Sequence, residues 1–155
     1  MAPGSETCWA LSSSDTAPVT IALDATVTLI GPDGSGWRTT YRKLRRRGSI
    51  DFPILGVAAA DRLGAGAVVE DARIVLGAVH THPVEATDAA DFLRGKALTA
   101  EAIEMVAGIA YKPARPLDNA DLVYSWRKRM ARVEVTRALR ELAGLPTGDL
   151  SPSLL

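Results

Sequence analysis

Two histidines separated by one residue are the feature of this sequence that most directly suggests metal chemistry. They stand in the motif His80-Thr81-His82-Pro83, at the end of a stretch with strand character. Side chains two residues apart point to the same side of an extended chain, so both imidazoles could reach one zinc ion. Asp88 or Asp91 could add a ligand and Glu70 a base, but two ligands do not make a zinc site. A zinc hydrolase is the least favoured hypothesis, and we assign no metal site.

A run of cations is the second feature that could bind a ligand. Its members are Arg42, Lys43, Arg45, Arg46 and Arg47. Alternation along a strand would place Lys43, Arg45 and Arg47 on one side, where they could hold an anion. The 18 basic residues of the chain are balanced by 18 acidic ones, which argues against binding nucleic acid through the overall field. We expect a solvated or interface strand, with a single anionic ligand as the alternative.

Length and composition set the class of protein. The chain has 155 residues, 47% of them hydrophobic and 23% charged, which is typical of a globular domain. Its single cysteine, Cys8, excludes a disulfide framework and any multi-cysteine zinc or iron–sulfur site within the chain. We find no secretory signal and no apolar run of the roughly 20 residues that span a bilayer. We therefore expect a cytoplasmic protein without a membrane partner.

Strand signals occupy the first half of the chain. Residues 26–30 are β-branched, and residues 50–60 are almost all apolar, which predicts a strand buried on both faces. Gly64 and Gly66 predict a turn, after which residues 68–79 form the returning strand of a hairpin.

Helix signals occupy the second half. Thr87 and Thr99 are placed to cap two short helices, and Asn119 or Asp121 to start a long helix that stops at Gly144. Arg127 is expected on the polar face of the long helix, in solvent. Because strands precede helices, we predict an α+β domain with an antiparallel sheet of three or four strands packed against about three C-terminal helices.

Several stretches together resemble one family, the FAD-binding medium subunit of the molybdenum hydroxylases. Its members include the flavin subunits of carbon monoxide dehydrogenase, xanthine dehydrogenase and 4-hydroxybenzoyl-CoA reductase. The resemblance covers nearly the whole chain, and its most specific part is Tyr-Arg-Lys-Leu-Arg-Arg-Arg-Gly-Ser-Ile-Asp-Phe-Pro, residues 41–53. The other parts are residues 8–18, 22–31, 56–59, 71–79, 83–84 and 93–95, and the helix over 116–142, where Trp-Arg-Lys-Arg-Met replaces a Tyr-Arg-Arg motif.

The resemblance implies a fold and a set of flavin contacts. The implied fold is that of the C-terminal domain of the carbon monoxide dehydrogenase flavoprotein. Asp15 matches an aspartate that hydrogen-bonds FAD, and Lys43 matches a lysine whose positive charge lies near the flavin. Phe52 stands where relatives often have tyrosine beside the isoalloxazine ring, and Asp51 precedes it as a weaker candidate.

The resemblance also implies partners and a domain arrangement. In this family FAD passes electrons between iron–sulfur clusters in a small subunit and an external acceptor or donor, and the molybdenum cofactor sits in a large subunit. We expect residues 1–34 to be the end of an FAD-binding domain, 35–145 the C-terminal domain and 146–155 a tail. The Gly-rich loops of the FAD domain and a stretch between Gly34 and Trp37 are missing, so the FAD site is expected to be incomplete and the chain alone not catalytic. The alternative is an interaction module without flavin.

Overall fold

The computed structural model describes residues 36–47, 51–118 and 122–147, all of which belong to the compact unit Gly36–Leu155. Asp15, the predicted strand over residues 26–30, and both Asn119 and Asp121 lie outside the described residues. No helix in the described part is both long enough and apolar enough to cross a membrane.

Within the described residues, four antiparallel strands form one sheet in the order β1-β2-β3-β4. They are β1 (Trp37–Leu44), β2 (Leu55–Leu63), β3 (Val69–Gly77) and the short β4 (Val84–Glu85). A 3-10 turn over Ala65–Ala67 closes the β2–β3 hairpin, and Gly66 there has a φ of 72°, the left-handed region that favours glycine. The hairpin predicted from the two glycines is confirmed.

In the part of the chain that the structure describes, three helices follow the strands and cover one face of the sheet. They are α1 (Thr87–Leu93), α2 (Ala100–Ala110) and α3 (Tyr124–Leu142). Both β1 and β2 pack against α3, and α2 packs against α1 and α3. The predicted α+β class, with three or four strands and about three helices, is confirmed.

One of the predicted helix N-caps agrees with the structure, and the other predicted helix starts do not. Thr99 caps α2, because its Oγ1 accepts a hydrogen bond from the Ala102 N–H at 3.2 Å. Thr87 does not cap a helix, because it is the first residue of α1. The residue before it, Ala86, stands at the N-cap and makes no side-chain cap. Helix α3 begins only at Tyr124, whose N–H donates to the Asp118 carboxylate.

The sheet is buried on one face only, which corrects the prediction for residues 50–60. Strand β2 starts at Leu55, and its buried residues Leu55, Val57 and Ala59 alternate with Ala58, which is exposed. An almost continuous apolar stretch predicts burial on both faces, but the helices cover only one. On the other face Ala58 is small enough to be left in water at low cost, and Gly56 lies against the Tyr41 side chain.

The core lies between the sheet and the helices and is rich in small residues. Its largest fully buried apolar side chains are Leu55, Ile74, Leu76, Leu93, Ile103 and Leu139. Between them lie many buried alanines, among them Ala107, Ala131 and Ala138. Such small side chains let the helices approach the sheet closely, so the strand ends and their connections are held by a rigid layer.

Candidate functional site

An open cleft of about 460 Å³ lies at the connection between β1 and β2. We call it the Phe52 cleft; it is lined by Arg46, Arg47, Asp51, Phe52, Pro53, Ile54, Leu122 and Arg127. The Phe52 ring is 91% exposed, although burying an aromatic ring is strongly favourable. An exposed aromatic ring beside cationic residues is suited to stack on a flat ligand that carries negative charge.

Local hydrogen bonds shape the chain on either side of Phe52. The Asp51 Oδ1 accepts from the Phe52 N–H at 2.9 Å, and the Asp51 Oδ2 lies 3.8 Å from the Arg47 Nε. The Ile54 N–H donates to the Leu44 carbonyl at 2.9 Å, which closes the connection as β2 begins. Pro53 cannot donate to a strand ladder, so regular pairing starts after it and Phe52 stays outside the sheet.

Arg127 lies in the wall of the cleft, and its position corrects the sequence analysis. It was expected on the solvated face of the long helix, yet it is only 8% exposed. Its guanidinium donates to the carbonyls of Leu117 at 2.7 Å, Ala78 at 2.7 Å and Ile54 at 3.1 Å. A buried cation needs such acceptors to offset its desolvation. The one signal in the sequence was its place in the Trp-Arg-Lys-Arg-Met stretch.

Lys43 lies in a different place from Asp51 and Phe52. It lines an open groove of about 400 Å³, the β1 groove, with Tyr41, Arg42, Leu44, Arg45, Glu134, Arg137 and Glu141. It pairs with Gly56 across the β1–β2 ladder, on the face of the sheet away from the helices. The structure thus brings Asp51 and Phe52 together in one cleft and puts Lys43 in the neighbouring groove, while Asp15 lies outside the described residues.

Two buried carboxylates anchor β1 to the rest of the domain. Asp61, 1% exposed, takes a bidentate pair from Arg38 on the facing strand, with 2.9 Å between Arg38 Nε and Asp61 Oδ1. Glu134 of α3 binds Arg42 at 3.0 Å and Arg137 at 2.6 Å. Hydrogen bonding to Asp61 raises the pKa of Arg38. Arg42 has a raised pKa as well: burial opposes the shift, and bonds to Glu134 and Glu141 outweigh it.

The two histidines form an exposed pair on the loop after β3. Their ring centroids are 4.7 Å apart, and each Nδ1 lies 3.1 Å from the hydroxyl of Thr81. Within the described ranges, no group of three or more His, Cys, Asp or Glu residues could hold a metal ion. Glu70 is paired with Arg62 at 3.1 Å, and Asp91 is paired with Arg94. Nothing in this part of the structure favours the zinc hydrolase.

Comparison with known families gives one match and no curated relative. The family model for the CO dehydrogenase flavoprotein C-terminal domain matches residues 39–142. No curated protein sequence matches the chain.

Several solved structures are similar to this chain. A carbon monoxide dehydrogenase from Hydrogenophaga pseudoflava, which lacks the Mo-pyranopterin moiety of its molybdenum cofactor, is 30% identical with a TM-score of 0.63, over 69% of this chain and 37% of that one. Quinoline 2-oxidoreductase from Pseudomonas putida 86 is 25% identical with a TM-score of 0.65, over 70% of this chain and 37% of that one. Reconstituted CO dehydrogenase from Oligotropha carboxidovorans is 25% identical with a TM-score of 0.65, over 76% of this chain and 40% of that one. The matching region is thus well under half of each of these chains.

Proposed function

Because the chain belongs to the CO dehydrogenase flavoprotein C-terminal domain family, we propose that it forms one wall of an FAD site in the flavin subunit of a molybdenum hydroxylase-type oxidoreductase. The family match includes Lys43, Asp51 and Phe52. The observation that carries the proposal is the Phe52 ring, which stands almost fully exposed at a cleft in a domain of a flavoprotein family.

The residues of the Phe52 cleft fit the ring end of FAD. The isoalloxazine is a flat, largely apolar ring system with polar edges, and FAD carries negative charge on its phosphates. Phe52 and Pro53 offer an apolar surface, and Arg46 and Arg47 line the same cleft with positive charge. Its volume of about 460 Å³ lies within the range of small-molecule and cofactor sites.

Each predicted contact residue has a distinct role in this proposal. Phe52 stacks on the ring and keeps water from that face. Asp51 holds the Phe52 backbone through the bond from its N–H, and so orients the ring. Lys43 adds positive charge near the flavin, and Asp15 hydrogen-bonds the cofactor. When bound, FAD supplies the electron- and hydride-transfer chemistry, while the protein supplies binding, orientation and electrostatics.

We place the chain in a complex with a small iron–sulfur subunit and a large molybdenum-cofactor subunit, where it takes part in electron transfer and subunit docking. Two observations support this: the family match, and the carbon monoxide dehydrogenase and quinoline 2-oxidoreductase structures that share the fold. Any substrate chemistry would then belong to the large subunit.

FAD titration of the purified chain, followed by flavin fluorescence and the visible absorption spectrum, tests the flavin site. We expect Phe52→Ala to weaken FAD binding about tenfold, since stacked aromatic pairs contribute up to about 1.5 kcal/mol beyond area burial. Phe52→Tyr keeps the ring and should bind as the wild type does. Met105→Ala is the matched control, because Met105 is also a large exposed apolar side chain, at 54%, but lies on α2 and lines neither the Phe52 cleft nor the β1 groove.

Two results would count against the flavin site. One is equal FAD affinity for Phe52→Ala and the wild type; the other is an equal loss of FAD affinity for Phe52→Ala and Met105→Ala. Purification from the native host tests the partners: flavin absorption with two larger chains carrying molybdenum and iron–sulfur absorption is the expected result. A colourless, solitary chain would instead support the interaction module without flavin.

A further inference from the structure

Arg127 joins three segments that are distant in sequence. One guanidinium binds the carbonyl of Ile54 before β2, that of Ala78 after β3 and that of Leu117 ahead of α3. All three distances lie between 2.7 and 3.1 Å, as expected of well-formed hydrogen bonds. A planar guanidinium with donors in a fixed fork can serve several acceptors in one plane, whereas a lysine ammonium is a single point charge.

One of the segments held by Arg127 forms part of the Phe52 cleft. Ile54 follows Phe52 by two residues and lines the cleft, as Arg127 does. Ala78 has a φ of 62°, a left-handed conformation that is unfavourable for a non-glycine residue. Such a conformation persists only when its surroundings enforce it, and the bond from Arg127 to the Ala78 carbonyl is one such constraint.

We propose that Arg127 is a positioning residue of the flavin site: by holding the carbonyls of Ile54 and Ala78, it sets the place of the Phe52 ring and so the affinity for the isoalloxazine. This inference rests on the proposed function. Arg127 lines the cleft, but its Nη1 and Nη2 donate to backbone carbonyls and its Nε is buried, so we assign it no direct contact with the flavin. It acts through the backbone that carries Phe52.

The test compares Arg127→Lys with Arg132→Lys in the full chain. Arg132 is the matched control: it lies on the same helix and is also paired, but with Glu104 of α2, and it lines neither the Phe52 cleft nor the β1 groove. Three quantities are measured for each variant: the FAD dissociation constant, the melting temperature, and the hydrogen exchange of the Ile54 and Arg115 amides. Those amides donate to Leu44 and Val79, next to the segments that Arg127 holds.

We expect Arg127→Lys to weaken FAD binding about tenfold, as the loss of one or two hydrogen bonds does, and to speed exchange at Ile54 and Arg115. Arg132→Lys should change neither the FAD affinity nor the exchange of these amides. Millimolar guanidinium should restore part of the FAD affinity of Arg127→Ala, since the vacated space opens into the cleft. A role confined to fold stability would lower the melting temperature and leave the FAD affinity of the folded protein unchanged.

The inference is overturned if Arg127→Lys binds FAD as the wild type does, or if the two lysine variants lose affinity equally. Failure of the proposed function gives a different result, in which the wild-type chain itself binds no FAD. In that case the hydrogen exchange of the Ile54 and Arg115 amides, which needs no FAD, tests the role of Arg127. Faster exchange at Ile54 and Arg115 in Arg127→Lys would support the positioning of the cleft, and unchanged exchange would refute it.

Discussion

Removal of Arg38 is expected to destabilise the domain by leaving a carboxylate buried without its partner. Asp61 is 1% exposed and lies directly opposite Arg38 in the β1–β2 ladder, where the two form a bidentate pair. Arg38→Met keeps most of the side-chain length and removes the charge. The perturbation therefore acts mainly on Asp61, which must either stay buried and unpaired or draw water into the helix side of the sheet.

The exposure of Arg38 determines the size of the effect. Breaking a buried ion pair by removing one partner costs about 3–5 kcal/mol. The Arg38 side chain is 40% exposed, so water screens part of the attraction that is lost. We therefore expect a loss of about 2–3 kcal/mol, which lowers the melting temperature of a domain of this size by roughly 10 °C. Arg38→Met/Asp61→Leu should recover most of that loss, because no buried charge is left.

Urea unfolding followed by circular dichroism measures these free energies. Arg73→Met is the matched control, since Arg73 is an exposed arginine on β3 and its replacement should stay within about 0.5 kcal/mol of the wild type. If Arg38→Met unfolds at the same urea concentration as Arg73→Met, the burial argument is wrong. It is equally wrong if the double variant is no more stable than Arg38→Met.

Two further outcomes follow from local contacts. Thr99→Ala should destabilise the domain by about 1 kcal/mol through loss of the α2 cap, whereas Thr87→Ala should be close to neutral because Thr87 caps no helix; thermal melts of the two variants check the contrast. The hydrogen bond from Arg94 lowers the pKa of Asp71 below its ordinary value of 3.8. A carboxylate with a lowered folded pKa adds stability above its unfolded pKa and loses it as the pH falls through the folded value. Acidification below about pH 4 should therefore destabilise the wild type more than Arg94→Met. Melting temperatures that fall equally for both proteins between about pH 5 and 2 would contradict the pairing of Asp71 with Arg94.

The elements predicted correctly are those whose signals are local. Helix α2 follows from the apolar spacing of Ile103, Val106 and Ala110 and from the cap at Thr99, all within one short stretch. The hairpin follows from its two glycines in the same way. Strand β1 is different: its charged, alternating residues were interpreted only as a strand-like basic run, and its pairing with β2 comes from distant residues. The prediction that β2 is buried on both faces was wrong, because an alanine-rich strand carries no alternation that reveals which face is covered.

The candidate site was found through motifs and not through periodicity. Asp51 and Phe52 stand in the most specific stretch of the family resemblance, and the structure brings them into one cleft with Arg46 and Arg47. Arg127 was assigned to solvent because an arginine on a helix is usually exposed. Its three acceptors lie 10, 49 and 73 residues away along the chain, so no local pattern could reveal its burial.

The sequence by itself determined the family, the α+β class and the residues to test, because motifs, caps and apolar spacing act over a few neighbouring residues. Only the tertiary structure decided which side chains share a cleft, which face of the sheet is covered, and that Arg127, Asp61 and Glu134 are buried. These properties depend on which distant segments meet. Burial of a charge is set by the acceptors that surround it in the folded chain, and not by the type of residue alone.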